Sequence, residues 1–153
     1  MQKTKINTAA VESAETTEQT EAPYELPEGW KWEAANNIAD IFTGNSINET
    51  VKKEKYTGIS EGLNFIGTKD IDFDGTINYE NGVKISDYEN FKTVPPDTPL
   101  LCIEGGSAGK KIGITSEKVC FGNKLCAFVC KNVEPKLLYY YLQSNVFFYS
   151  FMK

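Results

Sequence analysis

The sequence contains no histidine and no arginine; its 16 basic residues are all lysine. Without histidine there is no Ser-His-Asp or Cys-His activation of a nucleophile and no histidine general base, which leaves only carboxylates, Lys, Tyr or Cys for any catalysis. The four cysteines, Cys102, Cys120, Cys126 and Cys130, lie in apolar stretches with no CxxC spacing. With neither that spacing nor a histidine partner, a structural zinc site is not expected. Reduced thiols packed as small hydrophobes are. Long apolar runs are missing too, since nothing approaches the roughly 18–20 residues of a membrane span. The start, MQKTKINTAAVESAETTEQTE, carries lysines but lacks the apolar centre of a secretion signal. These absences point to a cytoplasmic chain with no metal and no cofactor.

What is present fits one modest domain: 153 residues, 41% of them hydrophobic. The net charge of −5 argues against tight non-specific binding to nucleic acid. The charge is unevenly placed, however. Residues 1–25 set Lys3 and Lys5 against five glutamates, for −3, whereas residues 105–136 set six lysines against Glu117 and Glu134, for +4. Nucleic-acid affinity follows a local patch rather than the sum over the chain.

Residues 1–23 are rich in Thr, Glu and Ala and poor in large apolar side chains. Such a segment cannot bury enough surface to offset its ordering entropy, so a flexible leader is expected, followed by one folded domain over 24–153. In YELPEGWKW (24–32), Pro27 and Gly29 predict an extended start and a turn, with Trp30 and Trp32 alternating as on a strand. NNIADIF (36–42) reads as a short Asn-capped helix with Ile38, Ile41 and Phe42 inward. TGNSINET (43–50) reads as polar and turn-prone, and its Asn48 glycosylation sequon is discounted for a cytoplasmic chain.

From 56 to 104, short extended runs are broken by Asp74-Gly75, Asn81-Gly82 and Pro95-Pro96. KIGIT (111–115) and VCFGNKLCAFVC (119–130) are β-like, and the second is expected to be a central strand or strand pair broken at Gly122-Asn123. Pro135 suits a first helical position, and Leu138, Leu142 and Val146 fall on one stripe of a C-terminal helix. The fold class expected is therefore α/β (α+β): a mixed, largely antiparallel sheet with a short N-terminal and a C-terminal helix.

Two motifs tempt and fail. In EGGSAGKKIGI (104–114) a P-loop would need Gly at 104, which is Glu, and Ser or Thr after Lys110, which is Lys111. The remaining readings are a hairpin turn or a loop whose glycines, exposed amides and lysines contact phosphate. In DIDFDG (70–75) the calcium-loop spacing would place a ligating Glu at 81, which is Asn. A solvated strand face and turn is the expectation there. The aromatic residues, 12% of the chain, fall mostly at helical or strand spacing and are read as core.

The order of several motifs is more specific than any one of them. PYELPEGWKW (23–32) followed by NNIADIF resembles the "LPEGWEW-x-x-LGDI" opening of type I restriction-modification specificity subunits. FIGTKDI (65–71) is similar to their "W-I-x-x-x-D-I" strand, and PLLCIEGGSAGK (99–110) to "D-x-L-x-x-x-G-G-S-x-G-K". VCFGNK (119–124) matches the strand with a following Asn, and LLYYYLQS (137–144) the closing "Y-L-Y-Y-x-L" helix. The resemblance covers about residues 24–152 and implies a single target recognition domain.

In that family two such domains are held apart by long helices that bind methyltransferase subunits. Here "LGDI" is replaced by Asn37-Ile38-Ala39-Asp40-Ile41, and the 153 residues hold neither a second domain nor a spacer helix. Half a subunit, or a truncated one, is the expectation. Double-stranded DNA and partner modification (adenine methyltransferase) and restriction subunits are implied as partners, with a homodimer or a second half-subunit completing the pair. The chain would recognise DNA and the partner would flip the base and methylate it; consistently, no N/D-P-P-[YF] motif and no glycine-rich cofactor loop after a strand is present. On this reading the chain is not itself an enzyme.

Within the resemblance, Ser107, Lys110, Lys111 and Lys124 are the candidate phosphate contacts. Asn123 and Asn45 are the candidate base readers, since Asn can pair bidentately with adenine. Two other readings stand beside it: a protein-interaction or pseudo-specificity module without DNA binding of its own, and a carboxylate-metal nuclease centred on Asp72.

Overall fold

The computed structural model describes residues 24–152; the expected leader lies outside them. Among the described residues, eight strands form two four-stranded sheets. The first has the order β1 (Ala39–Thr43), β8 (Leu125–Cys130), β5 (Pro99–Cys102), β6 (Ile112–Ile114), all antiparallel. The second has the order β3 (Lys84–Ile85), β2 (Leu63–Ile66), β7 (Val119–Phe121), β4 (Thr93–Val94). Its β2–β7 pair is parallel and the others are antiparallel. A first helical turn, α1 (Ala35–Ile38), precedes β1. Helix α2 (Glu49–Val51) runs on into a π-helical turn (Lys52–Tyr56), and α3 (Pro135–Leu142) and α4 (Asn145–Phe151) close the chain. The expected α+β class with mostly antiparallel pairing is what the chain adopts. No helix among the described residues is long and apolar enough to cross a membrane.

The unbroken apolar runs have a simple cause. Successive strand side chains point to opposite faces, and here both faces are covered. Leu100, Cys102, Leu125 and Ala127 meet Ile66, Val119 and Phe121 in the layer shared by the two sheets. Their neighbours Leu101, Cys126 and Phe128 face the other way, onto Leu138 and Leu142 of α3 and Phe147 of α4. On the far side of the second sheet, Phe65, Cys120 and Ile85 pack with Tyr56. All four cysteines are free thiols, three buried and Cys130 half-buried.

VCFGNKLCAFVC does break at Gly122-Asn123, but its halves do not pair with each other. β7 joins the second sheet and β8 the first. The turn, closed by Leu125 N–H donating to the Gly122 carbonyl at 3.1 Å, therefore stitches the two layers together.

Several expectations are corrected. The NNIADIF helix lasts one turn, without a side-chain cap, because Ala39–Thr43 is claimed by β8 as an edge strand. Trp30 and Trp32 lie outside any strand; Trp30 is 64% exposed and Trp32 is buried. The Pro27–Gly29 turn does form, with Trp30 N–H donating to the Pro27 carbonyl. Asn48 serves as the cap of α2, its side chain accepting from Thr50 N–H at 2.9 Å. Val146 does not extend the Leu138–Leu142 stripe, because the helix stops at Leu142. Ser144 caps a new helix, accepting from Phe147 N–H at 3.3 Å, and Phe147 becomes the buried residue.

Candidate nucleic-acid interface

Strand direction gathers the residues singled out in the sequence. β8 runs antiparallel to both β1 and β5, in registers that place Thr43 opposite Cys126 and Cys102 opposite Leu125. The end of β1, the end of β5 and the starts of β6 and β8 thus share one end of the first sheet. Asn45 follows β1, the glycine-rich connection 103–111 joins β5 to β6, and Asn123-Lys124 precedes β8. Hydrogen bonds tie them together: Asn45 N–H to the Phe121 carbonyl at 2.9 Å, and Ile103 N–H to the Lys124 carbonyl at 3.0 Å. Gly122 N–H to the Ile66 carbonyl at 2.9 Å brings in the short 3-10 turn Thr68–Asp70. All six candidate residues, Ser107, Lys110, Lys111, Lys124, Asn123 and Asn45, stand at this end.

They are not equally free. Lys110, Lys124 and Asn123 are exposed, and neither ammonium has an ion-pair partner among the described residues. Lys111 is half-buried: its Nζ donates to the Thr68 carbonyl at 3.3 Å and sits 5.1 Å from the centroid of the Phe73 ring. The Oδ1 of Asn45 accepts from Lys92 N–H at 2.8 Å. A bidentate adenine contact needs both ends of the carboxamide, so Asn45 offers a ligand its NH2 freely and its oxygen only through the second lone pair. Ser107 is half-buried, and its carbonyl accepts from the amides of Lys110 (3.0 Å) and Lys111 (3.3 Å).

The glycine-rich stretch is a hairpin connection, the plainer of its two readings. Its amides from Ala108 to Lys111 all donate to carbonyls of the same hairpin. Those four amides cannot cradle a phosphate, and what this part of the loop offers outward is lysine charge.

Sequence reading missed other members of this end. Lys69 is exposed in the 3-10 turn, inside the FIGTKDI motif that was read as a strand. Lys92, whose Nζ donates to the Thr43 carbonyl at 2.9 Å, sits in no motif and is brought here by the chain path alone. Carboxylates stand among these lysines, since Asp72, Asp74 and Glu104 are exposed. The end therefore has mixed charge and is not a uniformly basic patch.

The aspartates have separate tasks. Asp70 is 5% exposed and its Oδ2 accepts from Gly67 N–H at 2.8 Å, which holds the 3-10 turn. It does not lie on a solvated strand face as expected. The Oδ1 of Asp74 accepts from Thr76 N–H at 2.9 Å, and this backbone hydrogen bond holds its carboxyl below the usual range. Asp72 and Asp74 are exposed, as expected of them. Among the described residues no three His, Cys, Asp or Glu side chains come together as metal ligands.

Beside this end lies an open cleft of about 330 Å³. One wall is the tight turn 72–76, another the hairpin at Gly109-Lys110, and the third the α3–α4 junction with Tyr139, Gln143, Asn145 and Phe148. Two glycines let the walls close up. Gly75 (φ 89°) lies under the Tyr139 hydroxyl, and Gly109 (φ 74°) would place a Cβ 2.9 Å from the Phe151 ring. Both need the left-handed backbone that glycine adopts freely.

The two-sheet α+β domain thus carries all the candidate residues at one end, mostly on the loops. The solved structures agree at the level of fold. The chain is similar to a chain of a type I R-M system whose structure addresses complex assembly and conformational transition: TM-score 0.64, 24% identity, 78% of this chain and 28% of that one. It is likewise similar to the HsdS subunit from Thermoanaerobacter tengcongensis: TM-score 0.64, 21% identity, 81% of this chain and 29% of that one. This chain thus spans under a third of either protein. The family resemblance read from the order of motifs is met here in the fold. No protein-family model and no curated protein matches the sequence.

Proposed function

We propose that the chain is the DNA-sequence-recognition domain of a type I restriction-modification specificity element. The observation that carries this reading is the agreement between the motif order and a fold shared with type I R-M proteins. In this role the domain reads double-stranded DNA and directs partner methyltransferase and restriction subunits, which do the chemistry. It has no catalytic residue of its own and works in the cytoplasm. A single recognition domain reads half of a two-part target, and a second recognition domain reads the other half. Lys110 and Lys124 contact phosphates with Lys111 and Ser107 beside them, and Asn123 is the freest base reader, with Asn45 contributing an NH2 donor.

Selection on a randomised duplex pool tests this reading. Enrichment of one sequence class, with affinity that falls as salt rises, is the expected result. The mixed charge of the loop end favours a second reading, a module that docks partner proteins without binding DNA. Absence of any DNA shift at low salt, with co-purification of a methyltransferase subunit, would select it. Metal-dependent cleavage lost in Asp72→Asn would instead select a nuclease.

A further inference from the structure

We propose that Phe73, at the tip of the 71–77 hairpin, is a specificity residue: its ring enters the major groove of DNA and contacts the C5-methyl group of a thymine. The inference rests on the DNA-recognition reading and names one base feature within it.

The first observation behind it is a ring held out by a rigid frame. Phe73 is 69% exposed, the most exposed large hydrophobic side chain among the described residues. Single apolar side chains at a surface are ordinary, but few are fixed as this one is. Ile71 bridges to Ile77 across the hairpin, and Ile71 is fully buried. Asp72 N–H donates to the Thr76 carbonyl at 2.9 Å, and Gly75 N–H to the Asp72 carbonyl at 3.0 Å. Gly113, whose Cβ would fall 2.7 Å from Ile77 Cγ1, lets β6 close on the base of the hairpin. At the tip, Lys111 Nζ lies 5.1 Å from the ring centroid while donating to the Thr68 carbonyl at 3.3 Å. A group ordered before binding loses little freedom on binding, so its contact is kept as affinity.

Position is the second observation. Phe73 and Lys110 line the same cleft, so the tip stands next to the phosphate-contact candidates of the loop end. The hairpin is a two-stranded ribbon, and the major groove, about 12 Å wide, admits one. Charge is the third. Asp72 and Asp74 flank Phe73, both exposed, and phosphate repels both. The tip is thereby kept off the backbone that the neighbouring lysines contact. It is kept from the minor groove as well, whose negative potential draws cationic side chains. The major groove presents the amino groups of adenine and cytosine, beside which carboxylates are tolerated, and one apolar group, the thymine methyl. That methyl is the base feature an exposed ring can recognise by burying it.

The test compares a duplex enriched from a randomised pool with copies in which each thymine in turn is deoxyuridine, which lacks only the methyl. Binding is read by fluorescence anisotropy. At one position the deoxyuridine copy is expected to bind about fourfold more weakly, the scale of one buried methyl group. Phe73→Ala is expected to abolish that difference, so that the two copies bind alike. The ratio is decisive because losing the ring also releases Lys111, which changes binding to both copies equally. Phe73 is exposed and outside the three core clusters, so the variant keeps the fold. An enriched class with no common thymine, no position sensitive to deoxyuridine, or a sensitivity that survives Phe73→Ala overturns the proposal. Sequence-selective duplex binding alongside any of these leaves the recognition reading standing, whereas no duplex binding at all overturns both.

Discussion

Replacing Lys110 and Lys124 together by alanine isolates the electrostatic part of the proposed DNA contact. Each lysine that neutralises a phosphate releases condensed counterions, steepening the log–log salt dependence of affinity by about 0.9 on B-DNA. Three contacts, from Lys110, Lys111 and Lys124, give a slope near −2.7, so affinity falls about 40-fold between 50 and 200 mM salt. With Lys110 and Lys124 removed, one contact remains and the fall shrinks to about 3- to 4-fold. The pair is chosen because both ammoniums are exposed and unpaired among the described residues, so the fold is undisturbed. Lys111 is a poorer choice because its removal also frees Thr68 and Phe73. The neighbouring carboxylates Asp72, Asp74 and Glu104 lower the absolute affinity, whereas the slope counts the contacts. Fluorescence anisotropy with a pool-selected duplex, titrated at several salt concentrations, reads it directly. A double variant that binds with an unchanged slope refutes the placement of the contacts at this end.

Three further outcomes follow from the packing. Gly109→Ala forces a Cβ onto a backbone at φ 74° and against Phe151; a loss of roughly 1–3 kcal/mol is expected in denaturant unfolding. Asp70→Ala leaves the Gly67 amide without its acceptor and is expected to cost about 1–3 kcal/mol, whereas Asp72→Ala on the exposed turn changes the melt little. Burial pushes the thiols of Cys120 and Cys126 up from 9.0 to about 11. The unfolded thiols ionise first, so the contribution of these two to stability is level in pH below about 9 and falls as pH rises toward 11, and a thiol reagent at neutral pH labels them only on unfolding.

The sequence by itself determined the central strands. Pro99–Cys102, Ile112–Ile114 and the two halves of 119–130 could be read because apolar runs ended in Gly, Asn and Pro, whose backbone preferences hold whatever surrounds them. It also placed Pro135 at a helix start and excluded the P-loop and calcium-loop spacings. Sheet membership was not legible, since a run covered on both faces looks the same in either layer. Only the tertiary structure decided that β7 and β8, on either side of the Gly122-Asn123 break, join different sheets.

The same limit explains the misread helix. Ile38, Ile41 and Phe42 satisfy helical spacing, but Ala39–Thr43 is held extended by hydrogen bonds to β8, a partner more than eighty positions away. Of the site, the loop lysines and Asn123 were legible as local charge and turn chemistry. Lys92, Phe73, Gln143 and Asn145 were not, because nothing local marks them. They meet the glycine hairpin only through the chain's path, and two glycines at positive φ, Gly75 and Gly109, let that path close to form the cleft.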